Sequence, residues 1–573
     1  FANAVVPVPL TLPSHATMMT SLYPASHGVR VNGLSLPDDP PTLAELLRGR
    51  GYETAAFLAS QALSRTFGID RGFDFYDDGW MKEDTRSRTS EDMQRRGDVV
   101  VGSFLRWLEA REETGPFFAW VHFYDPHQPY DPPPDFLAAA GGDVYAGEVA
   151  FADRQFGRVL AALDSIGAAE NTIVAVIGDH GEGLGDHGEE SHGFLLYETT
   201  VAVPWVLRFP GSPRGLVVNA PVESVDLLPT VAELLSLNAD PSWQGRSLIP
   251  LFAAGAYPEN RPQYTETVFG NVTYNWSPLY SLREGDWKLV RGSRTELFDL
   301  ASDPAEKHDL ASEQPDVVLR LRRELEEECR AQEEASAGEV EMDLTADQED
   351  MLVALGYLVP NFPVSESDTL PHPVDLYPAH ALLVRAERLS ADGEFEAAES
   401  LFARARVIDP RNLYVLESYA TLFRKQGKFA EEENLLRALL AVDPKHAPTW
   451  NNLGNVMLRT GGSPDAALTC FYQAVESDST YAFAYVNLGN TRLNAGDIDQ
   501  AIRYYDKAIK YRPDLVPAYF GKAIAYRNRG DFEKQVEALK ATLDIDSGFE
   551  PARRMLPSYK PSSAGPGGSG REG

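Results

Sequence analysis

Asn171-Thr172-Ile173-Val174-Ala175-Val176-Ile177-Gly178-Asp179-His180-Gly181-Glu182 runs from a short apolar stretch straight into a turn crowded with charge. The apolar part is short, rich in β-branched residues and bounded by turn signals, which predicts a buried strand. Pro116-Phe117-Phe118-Ala119-Trp120-Val121-His122-Phe123 repeats the arrangement upstream. Between them, residues 148–163 have the spacing of an amphipathic helix. Earlier still, Pro41-Thr42-Leu43-Ala44-Glu45-Leu46-Leu47 reads as a helix, with Thr42 in its first turn. Residues 51–58 then read as turn and strand. Strand, helix, strand in this order predicts an α/β sheet covered by helices, with both apolar runs as buried parallel strands. Ligands in such sheets bind beyond the carboxyl ends of the strands. Residues 124–130 and 178–192 occupy those ends, and both are crowded with His, Asp and Glu.

Three segments carry candidate chemistry. In Gly178-Asp179-His180-Gly181-Glu182-Gly183-Leu184-Gly185-Asp186-His187-Gly188, Asp179 and His180 are suited to hold one metal ion, and the glycines let the backbone turn sharply. Glu182 and His187 read equally well as supports for such a site or as surface residues. In Tyr124-Asp125-Pro126-His127-Gln128-Pro129-Tyr130, two prolines stiffen the chain around His127, a candidate hydrogen-bond donor to an anionic oxygen or general acid. His122 reads equally well as a site residue or as a histidine satisfying backbone groups. In Pro9-Leu10-Thr11-Leu12-Pro13-Ser14-His15, the start of an apolar helix favours negative charge on a hydroxyl or a bound anion, and Thr11 and Ser14 are both candidate nucleophiles.

Together the three segments resemble the sulfatase branch of the alkaline phosphatase superfamily over about residues 1–310. The marks are Thr11-Leu12-Pro13-Ser14-His15, then Leu22-Tyr23-Pro24 and His27-Gly28-Val29. Asp125-Pro126-His127-Gln128-Pro129-Tyr130, Gly178-Asp179-His180-Gly181-Glu182 and His192-Gly193-Phe194-Leu195-Leu196-Tyr197-Glu198 follow, with Trp287-Lys288, residues 296–300 and Asp303-Pro304 further on. The resemblance implies an alkaline-phosphatase-type sheet and a divalent metal ion, Mn, Zn, Mg or Ca. It places Asp179, His180 and Thr11 at the metal, Thr11, His127 and His192 in catalysis, and His15 and His122 at the substrate. Sulfatases carry Cys or Ser where Thr11 stands and Arg where His15 stands, and many carry Lys where His192 stands. Threonine cannot become formylglycine, so the expectation shifts toward phosphate esters, the chemistry of phosphoethanolamine transferases and lipoteichoic acid synthases. The family also places an Asp pair before the nucleophile. Phe1-Ala2-Asn3-Ala4-Val5 reads as the interior of a domain, so the natural beginning and that pair are expected upstream.

Beyond this region, Tyr280-Ser281-Leu282-Arg283, Trp287-Lys288-Leu289-Val290 and Glu296-Leu297-Phe298-Asp299-Leu300 predict a small antiparallel sheet, and residues 315–335 a charged helix. After a Pro-rich stretch the chain repeats. Gly393, Gly427, Gly461, Gly496 and Gly530 are spaced 34, 34, 35 and 34 residues apart, and Pro410, Pro444 and Pro513 each follow one of them by 17. A 34-residue period with a mid-unit Gly and an end-unit Pro resembles tetratricopeptide repeats, an all-α solenoid that presents surface to a protein or peptide partner. The expected segments are 1–258, catalytic; 259–358, C-terminal subdomain; 359–378, linker; 379–556, about five repeats; and 557–573, a disordered low-complexity tail.

The 573 residues carry a formal charge of −33, which argues against a nucleic-acid binder. Two cysteines cannot make a disulfide framework or a Cys-based zinc site. No apolar run is long enough to span a membrane. The activity the resemblance implies is ester hydrolysis or group transfer, with a protein-binding tail. The alternative is an inactive scaffold whose repeats alone do the work.

Overall fold

The computed structural model describes residues 1–78, 94–111, 115–254, 261–336, 364 and 369–559. The chain divides into two units, Phe1–Tyr377 and Pro378–Gly573. Among the described residues no helix is long and apolar enough to cross a membrane.

The first unit contains strands β1 (Asn3–Val5), β2 (Glu53–Phe57), β3 (Phe75–Asp77), β4 (Phe117–Val121), β5 (Val174–Ile177), β6 (Trp205–Arg208) and β7 (Pro221–Glu223). Strands β3, β2 and β4 pair in parallel, in that order, and β1 pairs in parallel with β7. Hydrogen bonds from Val6 to Val201 and from Val203 to Ala4 join β1 to the segment leading into β6. The sheet has helices on both faces because the β4 side chains alternate. Phe117, Ala119 and Val121 pack with Val100 and Phe104 of helix Gly97–Ala110, while Phe118 and Trp120 pack with Met19 of helix Thr11–Thr20.

Two expectations about these strands need correction. Strand β5 pairs antiparallel with β6, not in parallel. Neither β4 nor β5 is fully buried, and every residue of both is at least partly accessible. The reason is that, among the described residues, each has one strand neighbour and therefore one open edge.

The predicted small sheet has four strands, β8 (Gln263–Thr267), β9 (Leu279–Glu284), β10 (Trp287–Arg291) and β11 (Thr295–Asp299), all antiparallel. Leu282, Leu289 and Leu297 on one face bury against Leu321 and Leu325 of helix Pro315–Glu334, the expected charged helix. A fully buried cation ties this sheet to the rest of the unit. Lys288 Nζ lies 2.9 Å from Glu198 Oε1 and 2.8 Å from Glu306 Oε1, and Glu306 also accepts the Glu198 backbone N–H. Burial opposes the Lys288 charge, but the two carboxylates outweigh it and raise the pKa.

Residues 359–363 and 365–368 of the expected linker, 255–260 and 337–358 of the preceding segments, and 560–573 of the expected tail lie outside the described residues. The end of the linker is helical: Pro373–Ala391 is one helix, because Pro373 opens it where no amide is needed. Four helix pairs follow in the second unit: Leu413–Gln426 with Phe429–Val442, Ala447–Arg459 with Pro464–Ser477, Ala482–Asn494 with Ile498–Tyr511, and Val516–Arg529 with Phe532–Ile545. Helix Phe395–Ile408 precedes them. Gly454 is required by packing, since a Cβ there would lie 2.5 Å from the Phe471 ring.

Candidate active site

Thr11, the first residue of helix Thr11–Thr20, follows the end of β1, and the loops after β4 and β5 bring their polar residues beside it. Asn32 Oδ1 accepts the Leu12 N–H at 2.9 Å and so holds the helix start. Thr11 Oγ1 lies 3.4 Å from His180 Nε2, and His180 Nε2 lies 3.6 Å from Asp179 Oδ2. Ligands at about 2.1 Å from one tetrahedral ion sit about 3.4 Å apart, so this donor set fits a single divalent ion. His180 Nδ1 donates to the Gly181 carbonyl at 2.8 Å, which leaves Nε2 with its lone pair. Gly181 is needed for the turn, because a Cβ would fall 2.1 Å from the Thr199 carbonyl oxygen. Ser14, the other candidate hydroxyl, is completely buried in the helix.

His15 Nδ1 donates to the Thr11 carbonyl at 2.8 Å and lies 3.7 Å from Asp179 Oδ2. His122 meets His15 as a T-shaped ring pair with centroids 5.1 Å apart. Ligand atoms of His15, His122 and Asp179 all lie within 4.8 Å of one another, the one group among the described residues able to hold a metal through three His, Asp, Glu or Cys side chains. The two histidines expected at the substrate therefore also border the candidate metal position.

His127, His180 and His192 form a cluster of rings. The His180 and His192 rings stack at 29° with centroids 3.8 Å apart, and His127 meets His192 edge-on at 5.3 Å. His127 Nδ1 donates to the Gln128 carbonyl at 2.6 Å, and its Nε2 lies 3.2 Å from the Tyr124 hydroxyl. Glu182 is buried rather than superficial, and its Oε1 lies 3.5 Å from His192 Nδ1. His187 stands apart from this cluster. It lies on Tyr197, and its Nε2 donates to the Glu306 carbonyl at 2.8 Å, which ties the loop to the C-terminal subdomain.

Charge in the site is one-sided. Burial lowers the pKa of His15, pushes His122 and His127 down to about 3, and holds His192 well below its usual value. These rings are neutral at pH 7, the state in which imidazole ligates metal. Asp179 is held below the usual carboxylate range: burial opposes its ionisation, and interaction with the imidazoles of His180, His15, His122 and His192 favours the charged form.

A family model described as Sulfatase matches residues 1–237. A second, N-sulphoglucosamine sulphohydrolase, C-terminal, matches 185–333. Tetratricopeptide repeat models match 417–482 and 486–548. The chain carries a sulfatase-like domain fused to tetratricopeptide repeats. The ulvan-active sulfatase of Formosa agariphila is 25% identical over 359 residues, covering 54% of this chain and 69% of that protein. Mouse arylsulfatase K is 30% identical over 183 residues, covering 30% of this chain. The chain spans only 33% of the length of that relative. A solved structure in complex with its substrate D-glucosamine-2-N,6-O-disulfate has a TM-score of 0.50 at 19% identity, over 59% of this chain and 91% of that one. Likeness at that level speaks to the fold alone.

In the sulfatase-like domain the sequence reading passed over Glu148. It is buried on helix Val144–Ser165, and its two oxygens accept the backbone N–H groups of His127 at 3.0 Å and Asp131 at 2.7 Å. The sign of it was an acid at helical spacing with Phe151 and Gln155 on the buried face. Burial raises Glu148 to about 7 and Glu223 also to about 7. Glu223 accepts from the Tyr23 hydroxyl and Tyr264 N–H and pairs with Arg261 at 2.8 Å. Both carboxyls keep a proton in the folded protein that the unfolded chain releases near its ordinary value. Their stabilising effect is full below about pH 4.5 and is lost as pH rises through about 7. Glu223→Gln is expected to flatten the fall of Tm between about pH 5 and pH 7. An unchanged slope in calorimetry would contradict this account of Glu223.

Proposed function

We propose that the chain is a metal-dependent hydrolase or transferase of sulfate or phosphate esters, with Thr11 as nucleophile and with phosphate esters favoured by that threonine. The gathering of Thr11 Oγ1, His180 Nε2 and Asp179 Oδ2 at 3.4 and 3.6 Å carries the reading. Asp179, His180 and Thr11 would hold the ion, with His15 and His122 at its border. When bound, the ion supplies positive charge that lowers the hydroxyl pKa and polarises the ester oxygens. Thr11 Oγ attacks phosphorus or sulfur in line, its proton passes to solvent, and the ester oxygen departs and gains a proton. Water or an acceptor alcohol then cleaves the threonine ester.

His192 Nδ1 is met by Ser191 Oγ at 3.3 Å, with Glu182 Oε1 nearby at 3.5 Å, and its Nε2 has no hydrogen-bond partner among the described residues, which leaves it for the equatorial oxygens of the transferring group. His127, held by the Glu148 carboxyl group through its backbone, borders the same space. The repeats are proposed to bind a protein or peptide partner.

The test uses the full chain, stripped with chelator and supplied in turn with Mn, Zn, Mg or Ca. Aryl phosphate, phosphodiester and aryl sulfate are assayed, with metal-dependent turnover expected and phosphate esters preferred at least about tenfold in kcat/KM. Saturating metal at about 100 times Kd should stabilise the fold by about 2.7 kcal/mol, seen as a rise in Tm. Asp179→Asn is expected to remove that rise. A rise that survives Asp179→Asn places the metal elsewhere, and turnover restricted to sulfate overturns the phosphate preference. No turnover of any ester, with or without metal, leaves the scaffold reading in its place.

A further inference from the structure

Both backbone polar groups of Glu190 are held by side chains from other segments. Its N–H donates to the Tyr377 hydroxyl at 3.1 Å, and its carbonyl accepts from Gln128 Nε2 at 3.4 Å. Gln128 adjoins His127, and Glu190 stands two residues before His192, so this one residue links the loops that carry the facing histidines. Tyr377 is the last residue of the first unit and is 2% exposed. Its ring packs edge-on against Phe194 at 5.4 Å, just beyond His192. Asp186 and His187 are held from outside by Lys307 and Glu306, and the Gly193 carbonyl by Thr267, but the bonds from Gly183 to Ser191 and from Gly185 to Glu189 lie within the loop. Gly185, Gly188 and Gly193 all have positive φ, which gives the segment wide backbone freedom, so the stretch between His187 and Gly193 takes its outside hold from the bonds at Glu190.

We infer that Tyr377 is a positioning residue for the candidate active site: its hydroxyl fixes the Glu190–His192 segment and, through Gln128, the separation of His192 from His127. The inference rests on the reading above, in which both histidines face the transferring group. It also gives a role to the first turns of a helix that reads from sequence as linker.

Tyr377→Phe removes the hydroxyl and keeps the ring on Phe194. In the full chain with saturating metal, kcat is expected to fall about tenfold with KM changed less than about twofold. That is milder than the about 100-fold that a 1 Å misplacement can cost. Tm should stay within about 2 °C, because the ring packing remains. Hydrogen–deuterium exchange read on the peptides spanning 186–196 should quicken at least about tenfold, with exchange in helix Thr11–Thr20 unchanged. Unchanged exchange in 186–196 overturns the anchor. Faster exchange with unchanged kcat overturns the positioning role, as does a fall in kcat matched by a general loss of Tm. If the unaltered chain turns over no ester, the catalytic reading fails on its own, and the exchange result still decides whether Tyr377 holds the segment.

Discussion

Thr11→Ala is expected to lower kcat by at least about 10³-fold on any ester the chain turns over, since removal of a nucleophile leaves only binding and charge stabilisation. KM should change little, because the neighbouring histidines are untouched. Thr11→Ser keeps a hydroxyl at the same place and should retain activity within about tenfold. Thr11 opens its helix, its Oγ1 is 3.4 Å from His180 Nε2, and its carbonyl orients His15. Mass spectrometry of the unaltered protein quenched during turnover should find the phosphoryl or sulfuryl group on the peptide containing Thr11. Thr11→Ala that keeps more than a tenth of the rate moves the nucleophile elsewhere and leaves the proposed mechanism without its first step.

The second large effect concerns stability. Lys288→Met removes one charge and leaves Glu198 and Glu306 facing each other, with the Glu306 side chain only 2% exposed. Breaking a buried pair from one side costs about 3–5 kcal/mol, because the remaining charge has no partner. Arg283 at 3.0 Å compensates Glu198 in part, so the lower end of that range is expected. The calorimetric transition of the first unit should drop accordingly. Adding Glu198→Gln and Glu306→Gln to Lys288→Met should recover part of the loss, since neutral groups tolerate burial better. A variant as stable as the parent would mean that the network contributes nothing and that the sheet holds to the unit by its apolar contacts alone.

The α/β architecture, the loops at the strand ends and the repeats were legible because each rests on local pattern: apolar runs for strands, His and Asp after them, a 34-residue period of glycines. The direction of β5 was not, since a short apolar strand looks the same whether its neighbour runs parallel or antiparallel. Its partial exposure was hidden for the same reason: composition reports what a strand can bury, not how many neighbours it finds. Thr11, Asp179 and His180 were nominated from sequence and lie together. The approach of His15 and His122 to Asp179 depends on tertiary folding between positions far apart in the chain and has no local sign. Glu182 could not be told from a surface acid until its contact with His192 was seen. Tyr377 lay in a stretch whose prolines suggested a linker, although Pro373 in fact starts a helix.

Tyr505 has a consequence for the mechanics of the second unit. Its ring is wedged between Gly489 and Gly521, and a Cβ on either would lie 2.6 Å from the same Cε1 atom. One aromatic plate thus serves two successive helical pairs, and its hydroxyl is pinned by Asn490 at 2.7 Å. Neighbouring repeats that share such a keystone cannot loosen one at a time, so pulling on this end of the solenoid should stretch a stiff block before any single hinge gives way.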